Sequence, residues 1–197
     1  MEHLFTYAFI VFLLALIIYR IKSTLMTSNK EEGRVAQPWT LYVLTTMHVI
    51  IGMVWTIEYF TIVKTINYFV TASGFVLFAV AVTGRYWALD TLGKYHSAQI
   101  EIREDHPLIT SGPYGYVRHP IYFFTIIEVI SCCLIPNAWY AFFLTLFIYT
   151  PLLILRLLLE EKVLAQKFGA SYLYYRETVP CLIPFTKGYR HYRVKDR

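Results

Sequence analysis

One polar stretch of the sequence lies directly against the start of an apolar segment: residues 112–122 read GPYGYVRHPIY. Its arginine, histidine and tyrosine side chains can bind an anion or donate hydrogen bonds. Because polar groups at a membrane boundary are costly unless they are used, this boundary is a candidate functional site. Pro120 suits the first position of a helix, so Arg118 and His119 would lie beside exposed N–H groups that favour an anion. The alternative is a basic membrane anchor with aromatic neighbours.

A second polar cluster ends the following apolar hairpin. Arg156 and Glu160 are four residues apart, so they share one helix face, and Glu161 follows directly. Leucines surround Arg156, and an arginine in such surroundings is expected to face the bundle interior. It would either pair locally with Glu160 or hold the polar head of a lipophilic substrate. Pro136-Asn137 predicts a tight turn, which would bring both clusters to one membrane face.

The composition indicates a membrane protein. Of the 197 residues, 57% are hydrophobic and 16% charged, whereas soluble domains average about 25% charged residues. A spanning helix needs about 20 residues, and five runs are apolar: residues 4–19, 39–63, 66–89, 121–135 and 138–159. We expect an all-α integral membrane protein with about five transmembrane helices, three of them in residues 1–89. A catalytic region over residues 90–197 would hold a cytoplasmic cofactor-binding loop, the hairpin and a C-terminal helix.

The basic residues predict an orientation for this multi-pass protein. Of the 18 lysines and arginines, 17 lie in the first loop, the loop after the third run or the C-terminal tail. Lys64 alone lies on the opposite side, and Arg85 is counted in the loop after the third run. The positive-inside rule therefore places the N-terminus outside and the C-terminus in the cytoplasm.

Several functional classes are disfavoured by the sequence. The net charge of +5 does not indicate nucleic-acid binding, because the basic residues follow the expected topology. The three cysteines show neither a disulfide pattern nor metal-ligand spacing, so no metal is expected. A Rossmann cofactor site is excluded because no βαβ alternation would carry it. His48, Glu58 and Glu128 lie within apolar runs, where each would either serve function or bond a neighbouring helix.

Taken together, the C-terminal motifs resemble the isoprenylcysteine carboxyl methyltransferase family of integral membrane enzymes. The resemblance covers about residues 90–190 and rests on RHPIY at 118–122, Arg156 with Glu160-Glu161, and FGASYLYY at 168–175. It is completed by HSAQ at 96–99, HPLITSGPY at 106–114 and VPCLIPF at 179–185. The first three apolar runs match the family only in hydrophobic character.

The resemblance implies methyl transfer from S-adenosylmethionine to the carboxylate of a prenylated cysteine. It implies that Arg156 is the catalytic residue that holds the substrate, and that the partners are a lipophilic or lipidated acceptor and membrane lipids. Pro107 departs from the small polar residue that relatives often carry, but its backbone carbonyl stays available. The implied cofactor contacts are Gln99, His106, Pro107, Leu108, Ile109, Tyr114, His119, Pro120, Ile121, Tyr122 and Glu160.

The sequence leaves alternatives open for the identity of the methyl acceptor and of the cofactor. Relatives on the same scaffold methylate lipid hydroxyls such as alkylpyrones, thiols or phospholipid amines. Membrane sterol reductases share part of the C-terminal pattern but bind a nicotinamide cofactor. A non-catalytic membrane protein that retains a lipid-binding site is the third reading.

Overall fold

Apolar helices form the body of the protein, and their ends coincide with turn and capping residues. The computed structural model describes residues 2–27, 34–96, 100–102 and 107–184. Its helices are α1 (Glu2–Thr27), α2 (Trp39–Thr61), α3 (Tyr68–Leu92), α4 (Pro120–Leu134), α5 (Trp139–Leu144), α6 (Thr150–Phe168) and α7 (Ala170–Thr178). Two short strands, β1 (Arg34–Ala36) and β2 (Ile100–Ile102), pair antiparallel. The predicted all-α class is confirmed, and this small sheet is an addition that the sequence pattern did not predict.

Three helical stretches of the described chain are long and apolar enough to cross a membrane. They are Trp39–Thr61, Tyr68–Leu92 and Trp139–Phe168, while Leu4–Tyr19 and Pro120–Leu134 are shorter apolar helices. These stretches identify an integral membrane protein, and every predicted apolar run forms a helix. The count of five crossings, the orientation and the division at residue 89 stay predictions.

The third stretch is one continuous helical path with a wider turn inside it. A π-helical turn at Thr145–Tyr149 joins α5 to α6, and Pro151 follows at the start of α6. A proline lacks the N–H that would continue the ladder, and its ring crowds the carbonyl four residues earlier. The Thr150 hydroxyl donates to the Thr145 carbonyl at 3.0 Å, which gives this carbonyl of the widened turn a hydrogen-bond partner.

The turn at the end of α4 has the tight form that Pro136-Asn137 predicts. Asn137 adopts a left-handed backbone conformation with a φ of 60°. Its side-chain oxygen accepts from the Asn67 backbone N–H at 2.8 Å, and its amide nitrogen donates to the Thr71 hydroxyl at 2.9 Å. The same turn residue therefore ties α4 to the start of α3.

Helices α3 and α4 pack closely because small residues line their contact. A Cβ atom added at Gly84 would lie 2.2 Å from Phe124 ring atoms, and one at Gly74 would lie 2.9 Å from the Ile135 backbone nitrogen. Ala81 and Ala88 are fully buried on α3. Small residues at a membrane helix contact let two backbones approach, so van der Waals packing holds this pair together.

Intramembrane polar residues join helices across the bundle. Arg85 Nη1 lies 3.2 Å from both Glu128 Oε2 and the Tyr19 hydroxyl. The assignment of Arg85 to a loop is wrong: this residue lies inside α3, where a buried carboxylate offsets its charge. Arg156, which the topology prediction counted in the C-terminal tail, likewise lies inside α6. The count behind that prediction therefore loses two arginines.

Two other polar residues left open by the sequence make helix-to-helix contacts. Glu58 accepts hydrogen bonds at 3.0 Å from the backbone N–H groups of Tyr140 and Ala141, at the start of α5. His48 Nδ1 lies 2.8 Å from the Tyr149 hydroxyl. A carboxylate is stabilised at such an N-terminal turn, so the Glu58 contact holds α2 against α5.

Candidate active site

Two adjacent glutamates on α6 face different partners. Successive residues of an α-helix point about 100° apart. Glu160 Oε2 accepts a 2.5 Å hydrogen bond from the Tyr122 hydroxyl on α4. Glu161 Oε1 instead receives two bonds from the Arg118 guanidinium. Glu160 and Glu161 therefore belong to two different clusters of side chains.

The first cluster, which we call the inner cluster, consists of Thr40, Tyr122, Arg156 and Glu160. Arg156 Nε donates to the Tyr122 hydroxyl at 3.0 Å, and Arg156 Nη1 donates to Thr40 Oγ1 at 2.8 Å. Arg156 is 6% exposed, so a charged group is held deep in the protein. The spacing of Arg156 and Glu160 predicted either a local ion pair or a substrate contact. The two side chains are linked indirectly, through the Tyr122 hydroxyl.

The second cluster, which we call the outer cluster, consists of Arg118, His119, Glu161 and Cys181. Arg118 Nε and Nη2 donate to Glu161 Oε1 at 2.8 and 2.5 Å, and Nη1 also donates to the Val179 and Arg176 carbonyls. Arg118 is 7% exposed. With a carboxylate and two carbonyl oxygens as acceptors, this buried arginine holds the loop before α4 against α6 and α7.

Backbone hydrogen bonds extend the outer cluster to the chain after α7. The Arg118 and His119 N–H groups donate to the carbonyls of Pro180 and Cys181, at 2.9 and 3.1 Å. The Tyr175 hydroxyl donates to the Tyr114 carbonyl at 2.6 Å. The C-terminal segment therefore fixes the loop before α4, and with it the start of the helix that carries Tyr122.

Three side chains of the outer cluster have metal-ligand chemistry. Ligand atoms of His119, Glu161 and Cys181 lie within 4.8 Å of one another. One contact among these described residues disfavours a cation. The positively charged Arg118 guanidinium already bonds the Glu161 oxygen that would bind a metal, so a second cation at that oxygen would be repelled. Burial, followed by the Glu161 carboxylate, raises the pKa of Cys181 to about 11, so the thiol is neutral while no metal is bound.

The Tyr114 hydroxyl, near the inner cluster, is a polar group whose hydrogen bond is not made within the described protein. It is buried and has no hydrogen-bond partner among the described residues. Burial, followed by the nearby Glu160 carboxylate, raises the pKa of Tyr114 well above its usual value. The phenol therefore stays protonated, and its hydroxyl is available to donate a hydrogen bond to a ligand.

The structure brings together five of the residues expected to bind cofactor or substrate. They come from the 3₁₀ turn Gly112–Gly115, the start of α4 and the middle of α6: Tyr114, His119, Tyr122, Arg156 and Glu160. Their predicted roles stay predictions, although His119 also contacts Glu161 at 3.3 Å and so takes part in the outer cluster.

The other expected site residues lie at the edges of these clusters. Pro120 begins α4 and is buried, Ile121 and Ile109 are half-buried, and Pro107 is exposed. Leu108 packs against an apolar cluster of the C-terminal helix, Tyr172, Tyr175 and Val179. This packing gives the Leu108 side chain a structural contact. Gln99 and His106 lie outside the described residues.

Sequence reasoning missed part of the polar framework. Arg118 and Glu161 lie within the recognised motifs, and their opposite charges were the available signal for a long-range pair. Thr40 carried no comparable signal, because a lone threonine at the start of an apolar run is common. It reaches Arg156 only through the tertiary fold.

Comparisons with known proteins show which family this chain is similar to. Residues 72–166 match the model of the isoprenylcysteine carboxyl methyltransferase (ICMT) family. A protein-S-isoprenylcysteine O-methyltransferase of Dictyostelium discoideum is 35% identical over 109 residues, 49% of this chain and 42% of that protein. The uncharacterized protein YpbQ of Bacillus subtilis is 33% identical over 82 residues, 42% of this chain and 49% of that protein.

A solved structure extends the similarity to the fold. The chain matches the eukaryotic intramembrane Ras methyltransferase ICMT with a TM-score of 0.58 and 27% identity, over 74% of this chain and 53% of that one. The chain spans about half the length or less of these curated relatives. The matched residues 72–166 hold Arg118, Tyr122, Arg156 and both glutamates. The resemblance indicated by the motifs is thereby confirmed: through its α3–α6 region, this chain is similar in sequence and fold to the isoprenylcysteine carboxyl methyltransferases.

Proposed function

We propose that this protein is a membrane-embedded, S-adenosylmethionine-dependent methyltransferase that acts on a lipophilic acceptor. The observation that carries the proposal is the inner cluster, in which Tyr122 joins Arg156 to Glu160 within the family-matched segment. The acceptor that suits this cluster best is a lipid-tailed carboxylate, as in an isoprenylcysteine.

The residues present suit this cofactor. A carboxylate such as Glu160 can receive hydrogen bonds from ribose hydroxyls or lie near a positively charged sulfur, and the open Tyr114 hydroxyl can donate to the cofactor. His119 and Tyr122 would complete the contacts described here, with Gln99 and residues 106–109 as further expected contributors. When bound, S-adenosylmethionine supplies a methyl group on a cationic sulfur.

The chain itself needs no general base for a carboxylate acceptor. Such an acceptor is already ionised at pH 7, so Arg156 would bind and orient it rather than remove a proton. Arg156 is 6% exposed, and a buried guanidinium of this kind would hold the acceptor head away from bulk water. The contribution of these residues is alignment in a dry site, a combination that supplies several kcal/mol in well-oriented reactions.

The proposed location follows from the same features. The lipid tail would lie among the apolar helices, and the cofactor would enter from the side on which the loop before α4 lies. The topology prediction makes that side the cytoplasm. Exposed apolar residues cover the helices, among them Ile57, Val76 and Phe147, as a lipid-facing surface requires.

The test is binding followed by turnover with purified, detergent-solubilised protein. Titration with S-adenosylmethionine and, separately, with NADPH distinguishes a methyltransferase from a membrane reductase. Methyl transfer is then measured to N-acetyl-S-farnesylcysteine, an alkylpyrone, a lipophilic thiol and phosphatidylethanolamine. We expect S-adenosylmethionine binding and transfer to the carboxylate. NADPH binding alone would overturn the proposal, and binding of neither would leave a non-catalytic lipid-binding protein.

A further inference from the structure

A residue from outside the family-matched segment contacts the inner cluster. Thr40 lies in the first turn of α2 and is 3% exposed. Its Oγ1 accepts the 2.8 Å hydrogen bond from Arg156 Nη1 and donates its own proton to the Gln37 carbonyl, also at 2.8 Å. Because the hydroxyl proton is committed to Gln37, a lone pair of Oγ1 is directed at the guanidinium.

The chain before α2 is built to hold Thr40 in place. Gln37 adopts a left-handed conformation with a φ of 56°, and its side-chain oxygen accepts a 2.8 Å bond from Trp39 Nε1. Immediately upstream, β1 pairs with β2, so residues 34–36 are attached to residues 100–102. The turn that presents Thr40 is thus fixed between the β1–β2 pairing and the first turn of α2.

We propose that Thr40 is a positioning residue that sets the orientation of Arg156 toward the acceptor head group, an inference that rests on the proposed function. Thr40 and Tyr122 place two neutral oxygen acceptors on different nitrogens of one guanidinium. These two contacts fix the plane of the group without cancelling its charge. Because a guanidinium recognises a carboxylate through two parallel donors, its plane decides whether both donors meet the acceptor.

The consequence is that the start of α2 determines acceptor recognition. The family match begins at residue 72, so Thr40 lies in the part of the chain that the motifs do not describe. An aliphatic residue of equal size would remove the acceptor that fixes the direction of Arg156 Nη1, so the guanidinium would be held less firmly in its plane.

The experiment compares Thr40→Val with Thr40→Ser in the full-length, detergent-solubilised protein. Valine keeps the shape and removes the hydroxyl, whereas serine keeps the hydroxyl. The KM and kcat for N-acetyl-S-farnesylcysteine are measured together with S-adenosylmethionine affinity. We expect Thr40→Val to raise the acceptor KM about tenfold to a hundredfold, the equivalent of one hydrogen bond to a charged group. Thr40→Ser should stay within about threefold of wild type, and cofactor affinity should be unchanged in both variants.

Thr56→Val provides a matched control in the same helix, because the Thr56 hydroxyl bonds the Gly52 carbonyl of its own helix at 2.7 Å. This variant should leave the acceptor KM unchanged. A Thr40→Val enzyme with a wild-type acceptor KM would overturn the role of Thr40, as would a Thr40→Ser enzyme as impaired as Thr40→Val. If wild-type protein binds no S-adenosylmethionine, the proposed function fails; normal cofactor binding with an unaffected Thr40→Val enzyme removes the Thr40 role alone.

Discussion

Arg156 and Glu160, one turn apart on α6, are bridged by a side chain from another helix. The Tyr122 hydroxyl accepts from Arg156 Nε at 3.0 Å and donates to Glu160 Oε2 at 2.5 Å. A direct ion pair would reduce the charge that each residue can offer to a ligand. The bridge instead keeps the two charged groups in fixed positions, as the proposed binding of a cationic cofactor beside an anionic acceptor would require.

The role proposed for Arg156 is to bind the acceptor and not the cofactor. We expect Arg156→Ala to keep S-adenosylmethionine affinity and to lose methyl transfer, because the acceptor head would lose its orienting donor. Arg156→Lys should recover little, since lysine keeps the charge but not the planar fork that bonds both Tyr122 and Thr40. The measurements are cofactor titration and turnover with N-acetyl-S-farnesylcysteine. Near-normal turnover of Arg156→Ala would make the residue structural, and loss of cofactor binding would assign it to the cofactor pocket.

The two glutamates should differ in what their loss damages. Glu161→Gln leaves the buried Arg118 guanidinium with a weakened partner; the pair has side chains that are 5% and 11% exposed. Removing one partner of a buried pair completely costs about 3–5 kcal/mol. Neutralising Glu161 should cost part of that amount, so thermal unfolding in detergent should occur at a lower temperature. Glu160→Gln, the matched control, should unfold near the wild-type temperature. Equal losses in both variants would contradict the separation into an inner and an outer cluster.

Close packing of α3 on α4 is tested by two glycine substitutions of the same kind. Gly84→Ala would place a Cβ 2.2 Å from Phe124 ring atoms, whereas the nearest neighbour of a Cβ at Gly52 is Trp55 Nε1 at 3.7 Å. Overpacking lowers the free energy of unfolding by about 1–3 kcal/mol. Replacing a helical glycine by alanine otherwise raises it by about 1 kcal/mol. Thermal unfolding should therefore show that Gly84→Ala destabilises and Gly52→Ala does not.

Combining Gly84→Ala with Phe124→Leu supplies the control for that contact. The smaller leucine removes the ring atoms that a new Cβ would meet, so the two changes should not be additive. A Gly84→Ala protein as stable as wild type, or a double variant whose losses simply add, would show that the two helices are not in contact at this point.

Orientation in the membrane remains a prediction of the basic residues. A reporter fused after Arg197 should be cytoplasmic, and one inserted at Pro136-Asn137 should lie on the opposite side. Placing Arg85 inside α3 and Arg156 inside α6 removes two residues from the count, but most lysines and arginines are still assigned to the predicted face. A cytoplasmic signal from the Pro136 turn would contradict the five-span topology.

Local signals predicted the helices and their ends well. Pro120 begins α4, Pro136-Asn137 forms the tight turn, and Gly169 interrupts the last helix with a φ of 54°. Each of these depends on a backbone preference that a short window of sequence contains. The apolar runs predicted the helices because lipid requires a continuous hydrogen-bonded segment.

Contacts between segments far apart in the chain could not be predicted from the sequence. The β1–β2 pairing joins two three-residue segments, too short to show the alternation that marks a strand. Arg85 next to an apolar boundary resembles a loop residue until Glu128, on another helix, is seen beside it. The bond from Thr40 to Arg156 likewise connects residues 116 positions apart, and no local pattern encodes that pairing.

The central claim, that the inner cluster forms part of an S-adenosylmethionine site, is tested most directly by calorimetric titration. Wild-type protein in detergent should bind S-adenosylmethionine and not NADPH. Glu160→Gln should bind S-adenosylmethionine about tenfold to a hundredfold more weakly, because a charge-assisted hydrogen bond contributes about 1.5–3 kcal/mol. Unchanged affinity in a folded Glu160→Gln protein, or binding of NADPH by the wild type, would contradict the claim.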